Sequence, residues 1–403
     1  MTTINGAPAS GHYTIISADC HAGASHEMYR EYLDPQYRDD FDAWREKYKN
    51  PFRDLQDGGR VRNWDDERRI GDLEADGVVA EVVFPNTVPP FFPTGALVAR
   101  PPTPADLDAR WAGLRAHNRW LADFCARHPN ERAGIAQIFL NDLDVALAEV
   151  QWAADHGLRG GILLPAVPDD TDIEPLYSPS YDPLWKLCED LEMPVNHHSG
   201  SGHPDYGDYP AAGMMWVLET PWFAHRGFYQ VVMSGVFERF PKLSFILTEQ
   251  GCSWLVPMLG QLDMFHMQAQ SGRTGEFKLD AVPLSLKPSE YFARNCYVGV
   301  SFPSPREAKA MKKLGLDRTM WGADYPHHEG SSPYSRENMR RAFSDWTPAE
   351  LEQVLTTTAA DVYGFDVSAL APHAAEVGPT VAEIATPLDK IPEGATSPGF
   401  YMA

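Results

Sequence analysis

Eight short apolar runs, helical stretches between them, and a length of 403 residues predict an α/β fold, a closed (β/α)8 barrel of the TIM type. The runs are Tyr13–Asp19, Val78–Phe84, Ala133–Phe139, Gly161–Leu164, Pro194–His198, Ser244–Thr248, Tyr297–Val300 and Thr319–Gly322. Each is the length of a buried strand. Helices are expected at Asp106–Arg127, Leu143–His156, Pro183–Leu191, Trp216–Phe240 and Ser253–Gln268. Strands that alternate with helices pair in parallel, and eight of them favour a closed barrel over an open doubly wound sheet.

Residues 1–12 read as an N-terminal extension, 13–364 as the barrel and 365–403 as a C-terminal tail. Two insertions interrupt the repeat. Pro85–Pro104 is rich in Pro and Phe, and Ser199–Met215 in Gly, Tyr and Asp. Both follow expected strands, where a barrel builds its mouth, so both are expected to wall the site. The tail carries Val377, Val381, Ile384, Ile391, Phe400 and Tyr401, too many apolar groups for a freely solvated segment. A homodimer or larger assembly through this tail is expected, the alternative being a tail folded onto its own barrel.

Composition narrows the class further. Lys and Arg number 34 against 56 Asp and Glu, a net charge of −22, so no basic face is available for nucleic acid. No run of eighteen apolar residues suggests a membrane span, and the first residues lack the pattern of a signal peptide. Five scattered cysteines without a CxxC pair argue against a disulfide framework and against a cysteine zinc site. A cytoplasmic enzyme acting on a small molecule is the expectation.

The chemistry is expected at the strand ends. The first strand closes on Asp19-Cys20-His21, and residues two apart on an extended chain point the same way, so Asp19 and His21 can meet one metal. The fifth closes on Asn196-His197-His198, of which alternation lets one imidazole face the axis. The sixth closes on Thr248-Glu249, and the eighth on Gly322-Ala323-Asp324-Tyr325-Pro326-His327-His328. Singly, each residue has a bland reading as a cap, a loop acid or a surface histidine. Together Asp19, His21, His198 and Asp324 give two imidazoles and two carboxylates, with Glu249 as a third acid. Such a mixed set suits Zn, Mn or Fe, held with an open position that activates water or binds substrate. Asp324 and Glu249 are the candidate proton-transfer groups.

The order D-x-H, P-V-x-x-H-x-G, F-P-K-L-x-F-x-L-x-E and G-A-D-Y-P-H resembles the amidohydrolase-related family. That family is a branch of the metal-dependent amidohydrolase superfamily that includes decarboxylases of carboxylated aromatic and muconate-type acids. The resemblance runs from about Tyr13 to about Gly364. It implies a barrel with metal at the strand C-termini, with Asp19 and His21 matching the strand-one ligands, His198 the strand-five ligand and Asp324 the strand-eight Asp. The sequence departs from the pattern in three places. Asp19 replaces the first His of H-x-H, no Lys ends the fourth strand at Gly161-Ile162-Leu163-Leu164-Pro165, and Glu249 stands where many members carry a His. A bridge of carbamylated lysine between two metals is therefore not expected. The carboxylate-rich set also resembles a diiron monooxygenase of the same barrel type, known from diterpenoid antibiotic biosynthesis, which implies two Fe and a bulky apolar substrate.

Outside the motifs, His225 is expected either as a second-metal ligand or, with Arg226, as a binder of an anionic group, against the bland reading of a helix-surface pair. His203 in the second insertion is a weaker candidate, and His327 and His328 are expected to line the mouth or orient ligands. Trp216, Trp222, Phe223, Phe228, Phe91, Phe92, Met214 and Met215 are candidates for an apolar wall, although such spacing also describes core. The leading expectation is a metal-dependent hydrolase or decarboxylase of an organic acid. The diiron oxygenase and a non-catalytic binding barrel are the alternatives.

Overall fold

The computed structural model describes residues 8, 10–49, 58–278 and 282–402. Its centre is an eight-stranded parallel sheet whose neighbours follow chain order: β1 (Ile15–Ala22), β2 (Val78–Pro85), β3 (Arg132–Gln137), β4 (Gly161–Leu163), β5 (Val195–His198), β6 (Phe245–Thr248), β7 (Cys296–Ser301) and β8 (Thr319–Gly322). Closure comes at the ends of β1 and β8, where the Asp324 amide donates to Asp19 O (2.8 Å) and Cys20 bridges to Tyr325. Gly322 makes that seam possible, because a Cβ there would lie 2.7 Å from the Asp19 Cβ. The eight runs expected as strands are these strands, and the fold is a (β/α)8 barrel.

The barrel interior is filled by Ile16, Ala18, Val82, Ala133, Ile135, Ile246 and Met320, which form one buried cluster. The helices Thr358–Tyr363 and Val367–Val377 join that cluster through Ala359, Ala360, Tyr363, Leu370 and Ala374, and the Tyr363 hydroxyl donates to Asn196 Oδ1 (2.8 Å). The outer helices form at the expected places, with one difference. The stretch expected as a single helix over Trp216–Phe240 starts earlier and is broken, into Ala212–Met233 and Val236–Arg239. Gly235 sits between them at φ 75°, a left-handed turn that glycine adopts without penalty.

The tail folds onto its own barrel. Ile384 and Phe400 are buried, Val377 and Val381 pack against the core, and only Tyr401 of the six apolar groups is largely exposed, at 63%. The bridge from His12 to Thr380 ties the tail to the N-terminal extension. Most of the apolar groups that motivated assembly through the tail are therefore already buried within the chain. Among the described residues, no helix is long and apolar enough to cross a membrane. All five cysteines are buried and free.

Candidate metal centre at the barrel mouth

Strand ends bring the candidate ligands together. Asp19, His21 and His198 are buried, and each offers a ligand atom within 4.8 Å of the others. His21 Nε2 lies 3.2 Å from Asp19 Oδ1 and 3.0 Å from Asp324 Oδ1, while His198 Nε2 lies 3.5 Å from both Asp19 Oδ1 and Glu249 Oε2. These separations are short, but none is aligned as a hydrogen bond. Asp19 Oδ1, His21 Nε2, His198 Nε2 and Asp324 Oδ2 are buried atoms without a hydrogen-bond partner. Buried polar atoms rarely go unpaired; Asp19, His21 and His198 gather at one place and Asp324 joins them through His21, an arrangement that fits a cation with nitrogen and oxygen ligands.

The far sides of the same residues are satisfied. His21 Nδ1 faces Pro85 O (3.3 Å) and His198 Nδ1 faces Ser199 O (2.8 Å), contacts in which each Nδ1–H donates and leaves Nε2 free as a ligand. Ser301 donates to Asp19 Oδ2. His327 Nδ1 meets Asp324 Oδ1 at 2.7 Å, its Nε2 meets Asn86 Oδ1 at 3.0 Å, and its ring lies tilted against His21 with centroids 4.1 Å apart. His197 turns the other way, as strand alternation requires, with Nδ1 against Leu164 O and Nε2 against Ala224 O.

Charge in this constellation is lopsided. Burial pushes the Asp19 carboxyl up, but the His198 and His21 imidazoles overcome it and hold it well below its ordinary value. Burial would lower His21, yet the facing carboxylates of Asp19 and Asp324 raise it to about 9; His198 is raised by the same balance. His327 is raised to about 10, burial being outweighed by Asp324. The acids thus draw protons onto the imidazoles, which is how a site short of positive charge behaves before a cation displaces those protons. Glu249 differs. Burial and then the Asp324 charge push it up to about 7, and its side chain keeps 20% exposure toward the cavity. Glu249 and Asp324 both sit at positive φ, 53° and 58°, a strained conformation for residues with side chains that recurs at functional sites.

A cavity of ≈670 Å³ opens over this face, with apolar walls at Leu97, Val98, Trp216, Val217 and Pro221 and the polar groups His198, Glu249, His327 and Glu329. Residues of both expected insertions line it: Pro85, Asn86, Leu97 and Val98 from the first, Ser199 and Gly200 from the second. Of the aromatic candidates, Trp216 walls this cavity, Phe92 a smaller one, Phe228 is core, and Trp222 faces outward at 55% exposure.

His225 is not brought to the cluster. On the helix Ala212–Met233 its ring stacks on Trp254 at 3.6 Å, Nε2 faces Gln250 O (3.3 Å), and burial lowers it to about 4. Arg226 pairs with Asp169 at the surface, and His203 bonds locally to Pro204 O. The role of metal ligand or catalytic group expected for His225 thus has no geometric support. Sequence reasoning missed Ser301, Asn86 and Glu329. Ser301 and Asn86 lie at strand ends, the place that identified the others, but their residue types carry no metal signal by themselves.

A mixed imidazole and carboxylate constellation at the C-terminal mouth of a (β/α)8 barrel is the site of a metal-dependent hydrolase or decarboxylase. Residues 18–365 match the amidohydrolase family, and the chain belongs to it. It is 28% identical over 254 residues to the gamma-resorcylate decarboxylase of Rhizobium radiobacter, a match covering 60% of this chain and 72% of that one. Its fold is similar to the 5-carboxyvanillate decarboxylase of Sphingomonas paucimobilis, with a TM-score of 0.65 at 20% identity, over 88% of this chain and 100% of that one. It is also similar to the 5-carboxyvanillate decarboxylase of Novosphingobium aromaticivorans complexed with manganese and 4-hydroxy-3-methoxy-5-nitrobenzoic acid. There the TM-score is 0.67 at 21% identity, over 90% and 99% of the two chains.

Proposed function

We propose that the chain is a decarboxylase of an aromatic carboxylic acid, with one divalent metal held by Asp19, His21, His198 and Asp324. The observation that carries the reading is the set of four buried, unpaired ligand atoms beneath an apolar-walled cavity. The matched gamma-resorcylate decarboxylase supports decarboxylation, and the manganese of the similar structure supports a metal of that kind. Manganese is the proposed metal, in a cytoplasmic enzyme whose free thiols fit a reducing compartment.

A metal bound there supplies Lewis acidity toward substrate oxygens. Among the described residues no Lys or Arg lines the cavity, and its cationic side chain is His327, raised to about 10. The apolar walls hold the ring and exclude water. When the carbon–carboxylate bond breaks and carbon dioxide leaves, the ring carbon must gain a proton. Glu249, raised to about 7, carries one near neutral pH and is the proposed donor. Asp324, oriented by His327 through Oδ1 and adjoining Glu249, is the second proton-handling group.

The competing reading has two irons and oxygenase chemistry, and it needs a second ligand group. Glu249, Asp324 and Glu329 also gather within 4.8 Å of one another beside the first cluster. Metal counting on anaerobically purified protein, followed by manganese reconstitution and a panel of hydroxybenzoic acids, separates the two. One metal per chain with carbon dioxide release supports the decarboxylase. Two irons with oxygen uptake and no carbon dioxide overturn it. A homodimer or larger assembly remains the proposal, checked by light scattering.

A further inference from the structure

A second, smaller cavity of ≈40 Å³ adjoins the mouth, lined by Phe92, Leu97, Phe139, Ala166, His198 and Gln137 among others. It shares Leu97 and His198 with the mouth cavity, so one ligand lying over His198 reaches both. Its walls are mainly apolar, and apart from His198, whose Nε2 belongs to the metal cluster, the other polar residues are engaged: Asn141 donates to Pro102 O (3.0 Å), and Ser201 Oγ accepts from the Ala166 amide (3.1 Å). Gln137 is different. It ends β3, is 3% exposed, and its Nε2 is buried without a hydrogen-bond partner. Gln137 lines the recess, so its unpaired amide can be satisfied by an acceptor that enters from the cavity once the side chain turns toward it.

Charge behind the wall points the same way. Arg110 is 2% exposed, and its guanidinium lies over Phe92 at 4.4 Å and Phe139 at 5.2 Å, the two rings that line the cavity. Its Nη1 donates to Arg100 O, while Nε and Nη2 have no partner. The positive charge therefore favours electron-rich oxygen in the recess and disfavours a second donor. It sits behind the rings, so it cannot pair directly with a carboxylate. The space admits about three water-sized groups.

We propose that this cavity is a specificity subsite for a small, uncharged, oxygen-bearing substituent of the substrate, such as a ketone or an ether, with Gln137 Nε2 donating to its oxygen. The inference rests on the reading that the mouth above His198 holds the substrate. Acetophenone and α-methylstyrene differ only in C=O against C=CH2, and their binding to the full chain can be read by saturation-transfer NMR. Gln137→Leu removes the donor at similar size and is expected to weaken acetophenone about fivefold while leaving α-methylstyrene equal or tighter. Ala166→Phe fills the recess and is expected to weaken both. Should Gln137→Leu fail to fold, Gln137→Met serves the same purpose. A wild-type protein that binds neither probe overturns the subsite, as does an equal effect of Gln137→Leu on both. Manganese binding, read separately by electron paramagnetic resonance, tests the metal reading. Manganese retained without the probe difference sinks the subsite alone, and the probe difference without manganese sinks the metal alone.

Discussion

Two buried charge clusters sit on neighbouring strands and are built in opposite ways. On β2, Glu81 is 2% exposed, yet Arg69 forks both of its oxygens and Arg132 Nε approaches at 3.3 Å. Arg69 spends its remaining donors on His21 O (2.8 Å) and Arg62 O (3.1 Å), so no side-chain atom of Arg69, Glu81 or Arg132 is left buried and unpaired. On β1, Asp19 is equally sealed, but its cluster leaves four ligand atoms without partners. The first cluster is complete within the chain and ties β2 to the helix Asp66–Ala75 that carries Arg69. The second, in the proposed reading, is completed by a cation. Burial of charge alone does not mark a site; unfinished hydrogen bonding at the strand ends does.

The largest expected effect comes from breaking the open cluster. Asp19→Asn or His198→Ala should lower manganese retention and turnover by at least about 100-fold, since even partners of metal ligands are worth 10–100-fold. Metal analysis after dialysis checks this. Arg69→Met should do the reverse, costing about 3–5 kcal/mol in urea unfolding by leaving Glu81 without its main partner. A loss below about 1 kcal/mol would remove that cluster's structural role.

Asp76 sharpens the comparison as a sealed acid with neither a cation nor a metal. Burial pushes it up to about 6 against the hydrogen bonds from Ser332 and Ser335. Because the folded state holds this proton more tightly than the unfolded chain, its contribution to stability is greatest below pH 4 and is lost as pH rises through 6. Asp76→Asn should flatten that fall, by on the order of 2–3 kcal/mol, in unfolding measured between pH 4 and 7. The smallest effect is expected from Asn86→Ala, which frees the far nitrogen of His327 and should weaken metal binding a few-fold. Isothermal titration of manganese into both proteins measures it.

The barrel was legible because parallel strands are short apolar runs and their count closes the sheet. The main cluster was legible for the same reason: Asp19, His21, His198, Glu249 and Asp324 end strands or lie just beyond them, and ends converge. What the sequence did not carry was distance across the fold. His225 reads as a ligand from its residue type, but only the packing of its helix shows its ring on Trp254. Ser301 and Asn86 act through contacts 282 and 241 residues away, with side chains that have many ordinary uses. The tail's apolar groups spoke equally for a partner and for its own barrel, and most of them are buried within the chain.

The central claim is that the four unpaired atoms hold one cation. Anomalous scattering at the manganese edge from crystals of the reconstituted protein tests it most directly. The account predicts a single strong peak about 2.0–2.3 Å from Asp19 Oδ1, His21 Nε2 and His198 Nε2, with Asp324 Oδ2 turned toward it. A reconstituted crystal with no peak there, and with those atoms closed by hydrogen bonds to one another, would contradict it.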